Sequence, residues 1–309
     1  MSQRGENALV AWLTERLRAD ASRVPVGIGD DMAVIRLDRP VIAITSDMLL
    51  DGVHFDTAEH SYRQIGRKAI ACSLSDCAGS GCAPRSATVS LALSNRMTLE
   101  DVQELYAGLA GMAEEFCCPI VGGDTTSWPG RLAIDVTMLG EPMTPRGAIL
   151  RSGGRPGDLI YVSGPLGGSI LGRHLTFMPQ LKLARRLVSE PALSAMMDIS
   201  DGLAMDLGRL CQASRCDAEL DEQQLERAIS DDARELERRD GKPAMQHALS
   251  DGEDFELLVV GGSALGESCP ELIPVGRLVS PGETVGRLWL VRTDGTREPI
   301  EPRGYEHFT

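Results

Sequence analysis

Apolar residues recur along this chain in two rhythms. Short runs rich in Val, Ile and Leu predict strands at Met32 to Leu37, Val41 to Thr45, Ala87 to Leu93, Ile120 to Val121, Leu132 to Leu139, Leu159 to Ser163, Ala195 to Asp198, Phe255 to Val260 and Leu288 to Arg292. Between them, apolar positions spaced three and four apart predict helices at Glu6 to Arg18, Tyr62 to Gly81, Leu99 to Phe116, Gly168 to His174, Gln180 to Ser189, Gly202 to Ala213 and Glu222 to Arg239. Strands mixed with helices in this way mean layered sheet and helix rather than a helical bundle. The Pro/Gly-rich segment Glu141 to Gly157 is the natural joint between two halves, drawn here as residues 1–147 and 148–309. The run Glu222 to Lys242 is so densely charged that one face must be solvated.

Length and composition narrow the class. The chain of 309 residues allows two domains with a sizeable core, and a net charge of −14 disfavours a nucleic-acid binder, which needs a basic face. No stretch of about 18 uncharged apolar residues predicts a membrane span, and the charged N-terminal periodicity does not read as a signal peptide. A cytoplasmic protein is the expectation. The 8 cysteines form no pair of C-x2-C motifs, so they are expected to be small buried residues rather than zinc ligands.

The candidate chemistry lies in acidic residues that recur at the ends of apolar runs beside glycine. They are GIGDD (Asp30, Asp31), ITSD (Thr45, Ser46, Asp47), SLSD (Asp76), VGGD (Asp124), DISD (Asp198, Asp201) and SDGED (Asp251, Glu253, Asp254). In MMDISDGL, Ser200 and Asp201 suit the start of a helix, whereas Asp198 belongs to an apolar run that should be buried. Carboxylates that converge repel unless cations sit among them, and an all-oxygen set favours Mg2+. Such ions usually also hold phosphates; Gly122–Gly123 would let backbone amides approach an anion, and Arg151 and Lys68 are candidate charge partners. His54 and the aromatics Tyr305 and Phe308 are candidate ligand contacts. There is no G-x-x-x-x-G-K-[ST] loop, no protein-kinase set and no G-x-S-x-G elbow, so any use of ATP must proceed without a P-loop.

Seven segments, GIGDD, ITSDMLLDGVHF, SLSDCAGSGCAP, VGGDTT, RSGGRPGDLIYVSG, MMDISDGLAMDL and LSDGEDFEL, together resemble the thiamine-monophosphate kinases, relatives of aminoimidazole-ribonucleotide and selenophosphate synthetases. They run in family order over nearly the whole chain from about Gly27. The resemblance implies an α+β N-terminal domain that dimerises through its sheet and a layered α/β C-terminal domain that completes the substrate site. It implies ATP-dependent phosphorylation of thiamine monophosphate by direct γ-phosphoryl transfer, and a homodimer; the charge and hydropathy above add the expectation of no nucleic-acid or membrane partner. Several Mg2+ ions would be held by Asp30, Thr45, Ser46, Asp47, Asp76, Asp124, Asp198 and Asp201, with a monovalent-cation requirement left open. ATP would be contacted by Tyr106, Gly123, Asp124, Arg151 and Ser200, and thiamine phosphate by His54, Glu253 and Tyr305. No general base is expected.

The chain departs from the family pattern in three places. Ser73 stands for an Asn, Gly167-Gly168-Ser169 for G-D-S, and Phe177-Met178-Pro179-Gln180 for a Pro-x-Pro-Arg stretch. Selenophosphate synthesis would need a reactive residue near the N-terminus, where Met1 to Met32 has no Cys, and the hydrogenase-maturation relative carries a C-terminal cysteine, where this chain ends in Thr309. A protein that binds thiamine phosphate or nucleotide without turnover is the alternative of another class.

Overall fold

The computed structural model describes residues 12–13, 15–17, 19–26, 33–38 and 40–304. They form two compact units: residues up to 77 together with 82–141, and residues 78–81 together with those from 142 onward.

The first unit contains β1 (Ala43–Leu50), α1 (Tyr62–Gly79), β2 (Cys82–Ser94), α2 (Leu99–Glu115), β3 (Ile120–Trp128) and β4 (Ala133–Pro142). The strands form one sheet in the order β1-β4-β2-β3, with β1 and β4 antiparallel and β2 and β3 parallel. In β4 alternate residues Ile134, Val136 and Met138 are fully buried, as the two-residue side-chain period requires of a strand with one covered face. Ile65, Ile70 and Leu74 of α1 and Leu105 and Leu109 of α2 are equally buried in this unit's core. Thr98 starts α2 with a reciprocal capping box, its hydroxyl accepting from Asp101 N–H at 3.2 Å while the Asp101 carboxylate accepts from Thr98 N–H at 2.7 Å.

The second unit contains β5 (Leu159–Val162), a 3-10 turn (Ser169–Leu171), α3 (Arg173–Thr176), α4 (Leu181–Leu187), β6 (Leu193–Ile199), α5 (Leu203–Ser214), β7 (Asp217–Asp221), α6 (Glu222–Glu226), α7 (Asp231–Asp240), α8 (Ala244–Ser250), β8 (Glu256–Gly261), α9 (Ala264–Ser268), β9 (Ile273–Val279), β10 (Leu288–Val291) and β11 (Arg297–Ile300). Its seven strands run β11-β10-β7-β9-β5-β8-β6, antiparallel throughout except for the parallel pair β10–β7. Met197, Ile199, Leu203, Leu207, Leu258 and Val260 belong to one buried apolar cluster that joins α5 to the sheet.

Several predicted elements differ in the structure. Among residues 33–37 the pairing is confined to residues 23–26, through the Val34–Val26 bridge and the Arg36 N–H to the Arg23 carbonyl at 2.8 Å; Val34 and Leu37 are exposed, and among the described residues this run joins neither sheet. The predicted helix Glu222 to Arg239 breaks into α6 and α7, because Ser230 turns out of the helix: its N–H bonds the Leu166 carbonyl at 3.0 Å and its hydroxyl caps α7 through Ala233 N–H at 2.9 Å. Ser200 caps nothing. Gly202 is the residue before α5, at φ +110°, and it contributes no side-chain cap. Most of the predicted Glu6 to Arg18 helix, together with Asp30, Asp31, Tyr305 and Phe308, lies outside the described residues.

All cysteines are free thiols; Cys117 is exposed and the other seven are buried. Among the described residues, no helix is long and apolar enough to cross a membrane.

Candidate functional site

In the first unit, alternation along β1 divides its polar residues between two faces. Thr45 and Asp47 face inward. The Thr45 hydroxyl donates to Asp76, and Asp47 accepts from the Ser73 hydroxyl at 2.6 Å, so α1 supplies a partner to each. Ser46 faces the other way. Its hydroxyl donates to Asp135 at 3.1 Å and lies 3.1 Å from the Thr137 hydroxyl, across the register from β4. The structure therefore brings Thr45, Asp47 and Asp76 together and sets the Ser46 side chain on the opposite surface. Burial pushes the Asp47 carboxyl up to about 7, with Asp76 and Asp135 adding repulsion and the Ser73 hydrogen bond opposing it.

Asp124 is on β3, opposite Ser90 of β2, and accepts from Thr125 N–H at 2.8 Å. Gly123 beside it has φ +149°, and a Cβ there would lie 1.8 Å from the Val89 carbonyl oxygen. Glycine is demanded at this position by the approach of β2 and β3, whatever ligand the loop takes. Tyr106 is buried on α2, hydrogen-bonded to Thr125 and set edge-on to Trp12 at 6.3 Å. His54 follows β1 and accepts from Leu50 N–H at 3.1 Å through Nδ1, while its carbonyl accepts from Lys68. Lys68 is fully buried, so it braces the His54 loop rather than facing solvent.

In the second unit, Asp198 is the penultimate residue of β6 and almost completely buried, as its place in the apolar run predicts. The loop after it is organised by Asp206, one turn into α5, whose carboxylate accepts from both Ser200 N–H and Asp201 N–H at 3.0 Å. Burial raises the Asp206 carboxyl to about 6; the Asp201 charge adds to this, and the backbone donors and Arg209 oppose it. Arg209 donates to Asp201 and, at 2.8 Å, to Asp206. The SDGED loop docks on the same place: Glu253 N–H bonds the Ser200 carbonyl at 2.6 Å and Phe255 N–H bonds the Ile199 carbonyl at 2.8 Å. Asp198, Ser200, Asp201 and Glu253 are thus neighbours within this unit. Arg151 is exposed, and its carbonyl accepts from the Ser214 hydroxyl at 2.8 Å.

Sequence reasoning missed Asp135, Thr137, Asp206 and Arg209, and met Ser73 only as a departure from the family pattern. Asp135 and Thr137 left a signal, since AIDVTML alternates polar with apolar residues. Asp206 also left one, as an acidic residue in the first turn of a helix that lacks a side-chain cap. Among the described residues no group of three or more His, Cys, Asp or Glu side chains could hold a metal ion by itself.

This arrangement can be set beside known proteins. Residues 29–141 match the family model described as AIR synthase related protein, N-terminal domain. Over 98% of its length the chain is 39% identical to a thiamine-monophosphate kinase of Rhodopirellula baltica, covering 97% of that protein. The chain belongs to the thiamine-monophosphate kinase family. It is 31% identical to the Bacillus subtilis member, with 93% of this chain and 94% of that one aligned. The solved structure described as AaThiL complexed with AMPPCP and TMP superposes with a TM-score of 0.77 at 27% identity, over 100% of this chain and 98% of that one. A hydrogenase maturation protein HypE in complex with ATP shares the fold, with a TM-score of 0.80 at 19% identity over 99% of this chain and 96% of that one. Two departures from the family pattern are absorbed locally. Gly168, at φ +71°, has no room for a Cβ beside the Asp232 and Ala233 backbone, and the Gln180 amide bonds Glu256 at 3.0 Å.

Proposed function

We propose that this protein phosphorylates thiamine monophosphate with ATP, giving thiamine diphosphate and ADP. The observation that carries this reading is the 39% identity to a curated thiamine-monophosphate kinase over nearly the full length of both chains. The phosphate of the acceptor is mostly ionised near neutral pH and is itself the nucleophile. No protein base is then required, and transfer is direct and in line, without a phosphoenzyme.

The difficulty is charge, because two polyanions must meet. The donor set suits Mg2+: it is all oxygen, and Asp47 lies buried with its carboxyl pushed up to about 7, chiefly by burial and then by the charge of Asp76. Bound Mg2+ would neutralise phosphate charge during transfer. In the first unit Asp30, Thr45, Ser46, Asp47, Asp76 and Asp124 would hold it; in the second, Asp198 and Asp201 would. The inward hydroxyl of Thr45 fits this role directly, whereas Ser46 would have to act through its backbone carbonyl. Tyr106, Gly123, Asp124, Arg151 and Ser200 would contact ATP, and His54, Glu253 and Tyr305 the acceptor.

The N-terminal domain, drawn from the sequence to residue 147, would also dimerise. The outer face of β1 exposes Ile44 (70%) and Met48 (61%), an apolar strand surface of the kind that a second copy covers. A kinase drawing on ATP would work in the cytoplasm.

The test is turnover by purified protein with ATP, Mg2+ and thiamine monophosphate, with Asp198→Asn alongside. Equal amounts of thiamine diphosphate and ADP, lost in a variant that still folds, support the reading. AMP in place of ADP would overturn the γ-phosphoryl mechanism. Tight binding of both ligands without product would favour a binding protein.

A further inference from the structure

In the second unit, residues 167–169 and 251–255 are joined at three successive points. Gly167 N–H donates to Asp254 Oδ1 at 2.8 Å, Gly168 N–H to Asp251 Oδ2 at 3.0 Å, and the Ser169 hydroxyl to the Glu253 carbonyl at 2.6 Å. Arg173 grips the same place. Its Nη1 donates to the Pro165 carbonyl at 3.1 Å, and its Nη2 to the Gly167 carbonyl and to Asp254 Oδ1, each at 2.9 Å. Asp254 is buried, and among the described residues its Oδ2 has no hydrogen-bond partner.

The loop so held is strained. Glu253 and Phe255, on either side of Asp254, both have φ +53°, a region that non-glycine residues avoid. Phe255 is pinned by stacking on Phe177 at 4.1 Å between ring centroids. The Glu253 carboxylate lies 3.4 Å from His174 Nδ1, beside Arg173 in the chain. A buried ion pair contributes little net stability compared with apolar packing, so stability alone does not account for this construction. What it does achieve is one fixed direction for Glu253. A carboxylate repels phosphate, so it suits the nitrogen-bearing, cationic end of an acceptor instead.

We propose that Ser169, Arg173 and Asp254 are positioning residues that aim Glu253 at the positively charged heterocyclic end of the phosphorylated acceptor. This rests on the kinase reading above. Through Glu253 the clamp sets affinity for the acceptor and leaves the nucleotide untouched.

Steady-state kinetics with each substrate varied in turn, on wild type, Glu253→Gln, Ser169→Ala, Arg173→Ala and Arg173→Lys, test it. Glu253→Gln and Arg173→Ala should each raise KM for thiamine monophosphate about tenfold, with KM for ATP unchanged and kcat within about threefold. Ser169→Ala should move the same constant in the same direction, and Arg173→Lys should recover part of the loss. If Arg173→Ala does not fold, Ser169→Ala still decides. A role in stability alone would lower the melting temperature and the active fraction while leaving KM for the acceptor at its wild-type value in the clamp variants. That result, with Glu253→Gln still impaired, overturns the clamp and spares the assignment of Glu253. An unchanged acceptor KM in Glu253→Gln overturns both. Absence of turnover in the wild type defeats the kinase reading and the clamp with it.

Discussion

Asp47 shows how a single residue can be read for chemistry and for stability at once. Its carboxyl rises from the ordinary 3.8 to about 7, chiefly through burial. The folded state therefore keeps a proton that the unfolded chain surrenders, and stability falls as pH rises between about 4 and 7. Urea titrations in EDTA should give a higher midpoint at pH 5 than at pH 8, with added Mg2+ recovering much of the loss at pH 8. Asp47→Asn should flatten that slope while lowering kinase turnover by about a hundredfold or more. An unchanged slope would remove Asp47 as its source. Gly123→Ala is a test of geometry instead. Its Cβ would meet the Val89 carbonyl at 1.8 Å, and a cost of about 2–4 kcal/mol in denaturant titration is expected. The acidic residues next to glycine were legible because their spacing repeats through the chain. That Ser46 turns its hydroxyl to the other surface follows from strand alternation, and it could be read only once β1 was known to run unbroken from Ala43 to Leu50.

At the scale of the element, the DISD loop depends on a helix beginning late. Because Gly202 offers no side chain, Asp206 reaches back from within α5 to hold Ser200 N–H and Asp201 N–H. Asp206→Ala should raise KM for ATP about tenfold or more without abolishing the fold, as checked by nucleotide titration and circular dichroism. On α2, Thr98→Ala removes a capping box that involves none of the candidate site residues, and it should cost about 1 kcal/mol with turnover unchanged. The long helices α1 and α2 and the unbroken apolar run of β8 were legible from pattern alone. β7 and β9 were not, since their short, charge-interrupted sequences make sense only beside the neighbours that complete their sheet. The fracture of α6 from α7 had the same cause: Ser230 answers to the Leu166 carbonyl, a partner distant in sequence.

For the whole molecule, the exposed Ile44 and Met48 lead to the expectation that Ile44→Glu with Met48→Glu yields a monomer in sedimentation velocity where the wild type sediments as a dimer. A wild-type monomer would sink that proposal. The distribution of sulfur has a different use. Cys72, Cys77, Cys82 and Cys118 are buried in one unit and Cys211, Cys216 and Cys269 in the other, leaving Cys117 as the exposed thiol. Burial pushes Cys118 and Cys211 up to about 12, so neither offers a thiolate to an alkylating reagent while folded. The native protein carries, in effect, its own pair of unfolding clocks. A pulse of reagent should add one adduct at once, and each later adduct, mapped by mass spectrometry, dates the opening of the unit that held it. The two units' lifetimes could then be timed separately in one tube, with no probe engineered into either.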